Sequence, residues 1–409
     1  MALSWGDRLL LEAVNRIVGP VGLSVELRRN AFTVGNSDRP AIRVADERAL
    51  AGLLINSDLG FGDAYTQGRL EVDGDLVLVL EKLFGCAARV PNWIPSLRTA
   101  WLRYTQANSL RGSRRNIQHH YDLPTDFYQL WLDPELVYTC AYFPQSQTTL
   151  EEAQRAKLDL VCKKLWLRPG ETVVEAGCGW GALSLYMARE YGVRVKAYNI
   201  SHEQILFARN KAKEQGLSRE VEFIEDDYRN IRGHSDVFVS VGMLEHVGVE
   251  HYRDLGQLIH GAIGDSGRGF LHFIGRNFPR PLSPWIQERI FPGAYTPSLR
   301  EAMGILEAQD FSVLDVENLR AHYALTLRHW LDRFERSYDL VVGRFSEQFA
   351  RMWRLYLAGS IAAFNLGTLQ LFQVVFAGRR CANAPWTRRD GGDDTKRKPV
   401  DDLWIPVMS

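Results

Sequence analysis

The stretch Glu175-Ala176-Gly177-Cys178-Gly179-Trp180-Gly181 closes an apolar run and opens a helix-patterned one. Glycines at such a junction let the backbone turn sharply and approach a ligand closely. The spacing is G-x-G-x-G, whereas a dinucleotide fingerprint needs G-x-G-x-x-G. Glu175 places a carboxylate just before the following helix. That suits a ligand with a cationic end better than a pyrophosphate. A plain glycine turn joining strand to helix is the competing reading, and the ordered surroundings argue against it.

Those surroundings alternate. Strand patterns cover 171–176, 193–200, 221–225, 235–241 and 269–274, with helix patterns at 183–191 and 201–215. This βαβ rhythm predicts an α/β fold on a mainly parallel sheet with helices on both faces. The second strand ends at Asn199, with Gln204 five residues on. An acidic residue often binds ribose hydroxyls at this place, and neutral amides can bond the same hydroxyls. After Pro297 the chain turns helical and aromatic, with a strand-like interruption near 311–316.

Toward the N-terminus, Leu9, Leu10, Ala13, Val14 and Ile17 recur at helical spacing. Short mixed strands and helices follow, then a turn-rich segment at 57–65 and an apolar helix over 76–84. The reading is a small α-rich N-terminal domain over 1–110, an α/β domain over 111–380, and a polar, flexible tail over 381–409. Between Pro91 and Arg115, Trp93, Trp101 and Tyr104 interleave with Arg98, Arg103, Arg111, Arg114 and Arg115. Such a stretch can sit on an anionic lipid surface. The alternative is a solvated helix whose tryptophans pack on a neighbour.

Lys plus Arg and Asp plus Glu are both 49, so bulk attraction to nucleic acid is not indicated. The five cysteines, Cys86, Cys140, Cys162, Cys178 and Cys381, are scattered without a CxxC. That argues against a disulfide framework and a structural zinc site, and fits a reducing cytosol. No run approaches about 18 uninterrupted apolar residues, and the N-terminus does not read as a signal peptide. Membrane contact, if made, is expected from the cytoplasmic face, peripherally.

Seven motifs in order carry a wider resemblance. They are His119-His120-Tyr121-Asp122-Leu123-Pro124, Tyr138-Thr139-Cys140-Ala141-Tyr142-Phe143, Glu175 to Gly181, Asn199 to Gln204, Ser240-Val241-Gly242-Met243-Leu244-Glu245-His246-Val247-Gly248, Leu271-His272-Phe273-Ile274-Gly275, and Gln370-Leu371-Phe372-Gln373-Val374-Val375-Phe376. With them the chain resembles the cyclopropane-fatty-acid synthase family, which includes the mycolic acid cyclopropane synthases. The resemblance implies a class I S-adenosylmethionine (SAM) methyltransferase with a mainly parallel seven-stranded sheet, behind a small helical domain. It implies an unsaturated phospholipid or fatty acyl substrate, a bound bicarbonate, and a homodimer. The bicarbonate residues map onto Cys140, Glu245, His272, Ile274 (through its backbone) and Tyr323. SAM contacts map onto Tyr138, Thr139, Gly177, Gly179, Asn199, Gln204, Asp227 and Tyr228, beside Glu175.

The chemistry fits those residue types. An alkene is a poor nucleophile, so the sulfonium methyl must be held in line with it. Transfer leaves a carbocation, which an aromatic pocket stabilises; Tyr142, Phe143, Phe273, Tyr323 and Trp330 are candidate liners. Loss of a proton from the new methyl closes a ring, and loss of another gives a methylene or methyl-branched chain. Taken singly, Cys140 reads as a buried small hydrophobe and His246 and His272 as core histidines. An amine N-methyltransferase and an inactive lipid-binding scaffold are the readings from other classes.

Overall fold

The computed structural model describes Glu12 and residues 22–27, 32–35, 42–55, 57–87 and 123–384. Apart from Glu12, the helix expected within 5–18 lies outside the described residues, as do the basic aromatic stretch 91–115, the residues His119 to Asp122 and the tail beyond 384.

The N-terminal segment runs β1 (Ser24–Leu27), β2 (Phe32–Gly35), β3 (Ile42–Val44), α1 (Glu47–Ile55), α2 (Ser57–Thr66), β4 (Leu70–Val72) and α3 (Leu76–Ala87). Its three helices accompany a four-stranded sheet of order β2-β1-β3-β4, with β1 and β3 parallel. Residues 57–65, read as turn-rich, are helix α2. Its glycines serve close packing instead of turning. A Cβ on Gly60 would stand 2.2 Å from the Gly52 carbonyl oxygen, and one on Gly62 2.2 Å from the Trp285 ring. Among the described residues no helix is long and apolar enough to cross a membrane.

The second part runs α4 (Thr125–Gln129), α5 (Leu150–Lys164), β5 (Thr172–Ala176), α6 (Ala182–Tyr191), β6 (Arg194–Asn199), α7 (His202–Glu214), β7 (Val221–Glu225), β8 (Val237–Val241), α8 (Tyr252–Ile263), β9 (Arg268–Gly275), α9 (Pro284–Arg289), α10 (Leu299–Glu307), β10 (Ser312–Asn318), α11 (Arg320–Arg336), α12 (Tyr338–Arg344), α13 (Glu347–Asn365) and β11 (Gln370–Ala377). Seven strands form one sheet in the order β10-β11-β9-β8-β5-β6-β7. The strands β9-β8-β5-β6-β7 are parallel, and β11 runs antiparallel to β9 and β10. This is the class I methyltransferase sheet. β8 and β11 are buried along their whole length, as strands covered on both faces must be. Capping boxes, Thr149 with Glu152 and Ser298 with Glu301, fix where α5 and α10 begin.

The chain leaves β5 outward to β6 and β7, then returns to β8 on the other side of β5. Ligands bind beyond the C-terminal ends of the strands at such a switch point. One apolar core joins the N-terminal segment to α4, α11 and α13. Arg351 of α13 crosses that boundary. Its guanidinium donates to the carbonyls of Tyr65 (2.6 Å) and Leu70 (2.9 Å), pairs with Glu71, and lies 4.4 Å from the centre of the Tyr65 ring.

Candidate active site

Beyond the ends of β5, β6 and β8 lies a cavity of about 270 Å³. From β5 the backbone turns through Gly177 (φ +84°), Gly179 (+56°) and Gly181 (+86°) into α6. A Cβ on Gly181 would stand 2.6 Å from the Phe223 ring, so the loop needs glycine for space as well as for its left-handed turn. The N–H groups of Gly177 and Cys178 donate to the Tyr198 carbonyl at 2.9 and 3.1 Å, tying the loop to β6.

β6 ends at Asn199, whose Nδ2 donates to Gln204 Oε1 at 2.7 Å and to the Gly179 carbonyl at 3.2 Å. Asp227 caps the turn Tyr228–Asn230 and pairs with Arg229 at 2.8 Å. Tyr138 and Thr139 precede α5 and are held there by Gln154, which donates to the carbonyls of Val137 (3.1 Å) and Thr139 (2.9 Å). Glu175 is buried and accepts a hydrogen bond from Ser184 Oγ. Burial pushes its pKa up to about 7. Tyr138, Thr139, Glu175, Gly177, Gly179, Asn199, Gln204, Asp227 and Tyr228 all line the one cavity.

Glu245, Ile274 and Tyr323 line it too; Cys140 and His272 do not, and both are buried. Glu245 sits in the turn Leu244–His246 after β8. Its Oε1 accepts from the Ile274 N–H at 2.6 Å, so that backbone donor is already engaged. Its Oε2 is buried without a partner among the described residues, and burial pushes the pKa up to about 7. His246, also lining the cavity, is pushed down to about 4 by its apolar surroundings.

His272 faces β11, where its Nδ1 stands 3.2 Å from Gln373 Nε2. With Gln373 donating, the ring proton sits on Nε2, which is buried and has no partner among the described residues. Burial, with Lys157 and Lys164 nearby, holds the ring neutral. Cys140 Sγ donates to the Ala141 carbonyl at 3.1 Å, and burial raises its pKa, so the thiol stays protonated.

The aromatic lining differs from the expected one. Tyr323 is present, joined by Tyr138, Trp180, Phe291, Tyr356 and Phe364; Tyr142, Phe143, Phe273 and Trp330 are absent from it. Strand alternation turns Phe273 away from the face of His272 and Ile274 and onto Phe372, 5.7 Å between ring centres. Phe143 stacks on His329, and Trp330 meets Tyr323 edge-on at 6.0 Å.

Two contributors went unread in the sequence. Tyr356, Ser360 and Phe364 line the cavity from α13. Their i, i+4, i+8 spacing was the available signal. Lys157 lines it from α5, its Nζ donating to Thr139 Oγ1 at 3.1 Å. Its signal was a lysine on the apolar face that carries Gln154, Leu158 and Val161.

Comparison with known proteins agrees with this geometry. The model of the mycolic acid cyclopropane synthetase family matches residues 108–374. The chain is 35% identical to the cyclopropane-fatty-acyl-phospholipid synthase of Escherichia coli K12, over 86% of this chain and 92% of that protein. It is also 35% identical to a probable fatty acid methyltransferase of Pseudomonas putida, over 88% and 93%. A solved mycolic acid cyclopropane synthase, complexed with SAH and CTAB, superposes with a TM-score of 0.62 at 32% identity, over 64% of this chain and 97% of that one. Coclaurine N-methyltransferase, at 22% identity and a TM-score of 0.63, shares the fold. A switch-point cavity walled by a G-x-G-x-G loop, in a chain with these relatives, is that of a SAM-dependent methyltransferase, and the protein belongs to the mycolic acid cyclopropane synthetase family.

Proposed function

We propose that the protein adds the SAM methyl carbon to the double bond of an unsaturated phospholipid acyl chain and closes a cyclopropane ring. The observation that carries this is the single cavity, whose walls combine the glycine loop and its polar partners with an apolar, aromatic lining from α9, α11 and α13. The relative solved with SAH holds CTAB, a long-chain surfactant, which is the kind of molecule such a lining would take.

In this reading Asn199 and Gln204 bond the ribose, and Glu175 takes the ammonium of the cofactor's amino-acid end. Tyr138, Tyr323, Tyr356 and Phe364 present ring faces to the cationic acyl chain and exclude water. The buried Glu245 Oε2 and His272 Nε2, unpartnered among the described residues, fit a small protonated oxyanion, which offers one donor and accepts one. Those two residues, with Tyr323, would hold bicarbonate, which when bound supplies the base for the last proton, while Cys140, its thiol engaged by the Ala141 carbonyl, packs behind them.

The division into an N-terminal segment for lipid presentation and a catalytic domain belongs to the same proposal, as does contact with the inner face of a membrane. Support comes from the rim. Phe278 (56% exposed) and Leu366 (42%) flank the hydrogen bond from Asn277 to the Gly367 carbonyl, near the cavity-lining Leu282 and Leu369. Arg280 lies in the same loop. Apolar tips beside arginine suit a phospholipid surface.

A second reading keeps the same cation and ends in a methylene or methyl-branched product; the name of the Pseudomonas putida relative, a probable fatty acid methyltransferase, is compatible with either outcome. Incubation with SAM and vesicles of monounsaturated phospholipid, followed by mass spectrometry and proton NMR, separates the two. A gain of CH2 with upfield ring protons establishes the ring. The same gain with vinylic protons establishes branching. No gain on any lipid sinks both.

A further inference from the structure

Lys157 is 1% exposed, inside the protein, and yet lines the cavity. An ammonium carries three donors. One goes to Thr139 Oγ1 at 3.1 Å, and the other two reach no acceptor among the described residues. A buried ammonium so placed is costly unless an anion completes it. The titratable groups facing it come from four directions. Asp133 and Glu135 lie ahead of the Tyr138 segment, the protonated Cys140 follows Thr139, Glu175 ends β5, and the neutral His272 lies on β9. None of the carboxylates is close enough to form an ion pair with it. Burial pushes Lys157 down to about 8, Asp133 up to about 6 and Glu175 up to about 7. Asp133 accepts from the N–H groups of Glu135 and Val137, so Lys157 and Glu175 are the two of these groups that face the cavity.

The cavity therefore offers one buried cation, held on Thr139, and one buried carboxylate, Glu175, at the end of β5 just before the glycine loop. An α-amino acid presents the complementary pair. We propose that Lys157 receives the α-carboxylate of the amino-acid end of SAM, while Glu175 receives its ammonium. This rests on the SAM-binding reading and adds to it a residue that recognises the carboxylate. The competing role for Lys157 is to neutralise Asp133 and Glu175 within the fold, which would not depend on the ligand's carboxylate.

The test is calorimetric binding to the full-length protein of two ligands, S-adenosylhomocysteine (SAH) and its decarboxylated analogue. The wild type should prefer SAH by about tenfold or more, as a charge-assisted pair in a buried site gives. Lys157→Met should lose that preference by weakening SAH and leaving the analogue unchanged. Equal weakening of both ligands, or no weakening, overturns the proposal. If Lys157→Met does not fold, the wild type suffices. Its preference should shrink as pH rises through about 8 and Lys157 deprotonates, and a preference flat from pH 7 to about 9.5 overturns it. A wild type that binds neither ligand overturns the SAM reading beneath it.

Discussion

The phenol oxygens of Tyr138 and Tyr356 lie 2.8 Å apart, linking the segment before α5 to the wall formed by α13. Tyr356→Phe removes this link and keeps the ring. The fold should lose about 1 kcal/mol. SAH affinity should hold within about threefold while kcat/KM on lipid falls about tenfold, because the two walls lose their mutual alignment. A matched loss in SAH affinity would show that the link serves the cofactor end alone.

Glu245 should trade stability for function. Its pKa is about 7 in the folded protein against an ordinary 4.5. Across that window the folded protein holds a proton that the unfolded chain releases, so stability falls as pH rises, and the full cost is present above about 7. Glu245→Gln keeps an oxygen for the Ile274 N–H and removes the charge. At pH 8 it should be more stable than wild type by up to about 3 kcal/mol, read as a higher unfolding temperature, with the gap closing toward pH 5. Turnover should drop by about a hundredfold or more. A lower unfolding temperature at pH 8 contradicts the burial argument.

Ser360 tests which wall serves the acyl chain. Ser360→Phe places a ring inside the cavity from the middle of the α13 face. Lipid methylation should be lost with SAH affinity unchanged, read by calorimetry and product analysis. Loss of SAH binding would put the cofactor against α13 and redraw the site.

Arg351 tests the tie to the N-terminal segment. Arg351→Ala strands the buried carbonyls of Tyr65 and Leu70 without their donors, at a cost of about 3 kcal/mol. Limited proteolysis should then cut faster within 42–87. An unchanged cleavage rate would show that apolar packing alone holds the segment.

The sheet was legible because β strands and the G-x-G-x-G turn obey local rules. A left-handed backbone at Gly177, Gly179 and Gly181 demands glycine, and the sequence displays it. Glu175 and Asn199, which line the cavity at the ends of β5 and β6, were legible for the same reason: each sits at a strand end next to its motif. The rest depended on distance. Tyr356 and Phe364 reach the cavity from a helix more than a hundred residues beyond the glycine loop, and nothing local to them marks that face as a wall. Phe273 was misplaced because a strand sends neighbours to opposite sides, so its place beside His272 in the chain misled. Gly60 and Gly62 look like turn residues until the approach of Gly52 and Trp285 is known.

Helix α13 has two occupations. One face walls the cavity, and the helix also packs on α2 and α3 and carries Arg351 onto α2 and β4. The family model begins at residue 108, and the solved synthase is matched almost whole by 64% of this chain. A member without the N-terminal segment has nothing for an Arg351-like residue to hold, and needs a polar outer surface on this helix. The outward residues of one helix thus sort long members from short ones by sequence alone, while the inward residues of the same helix record what the cavity admits.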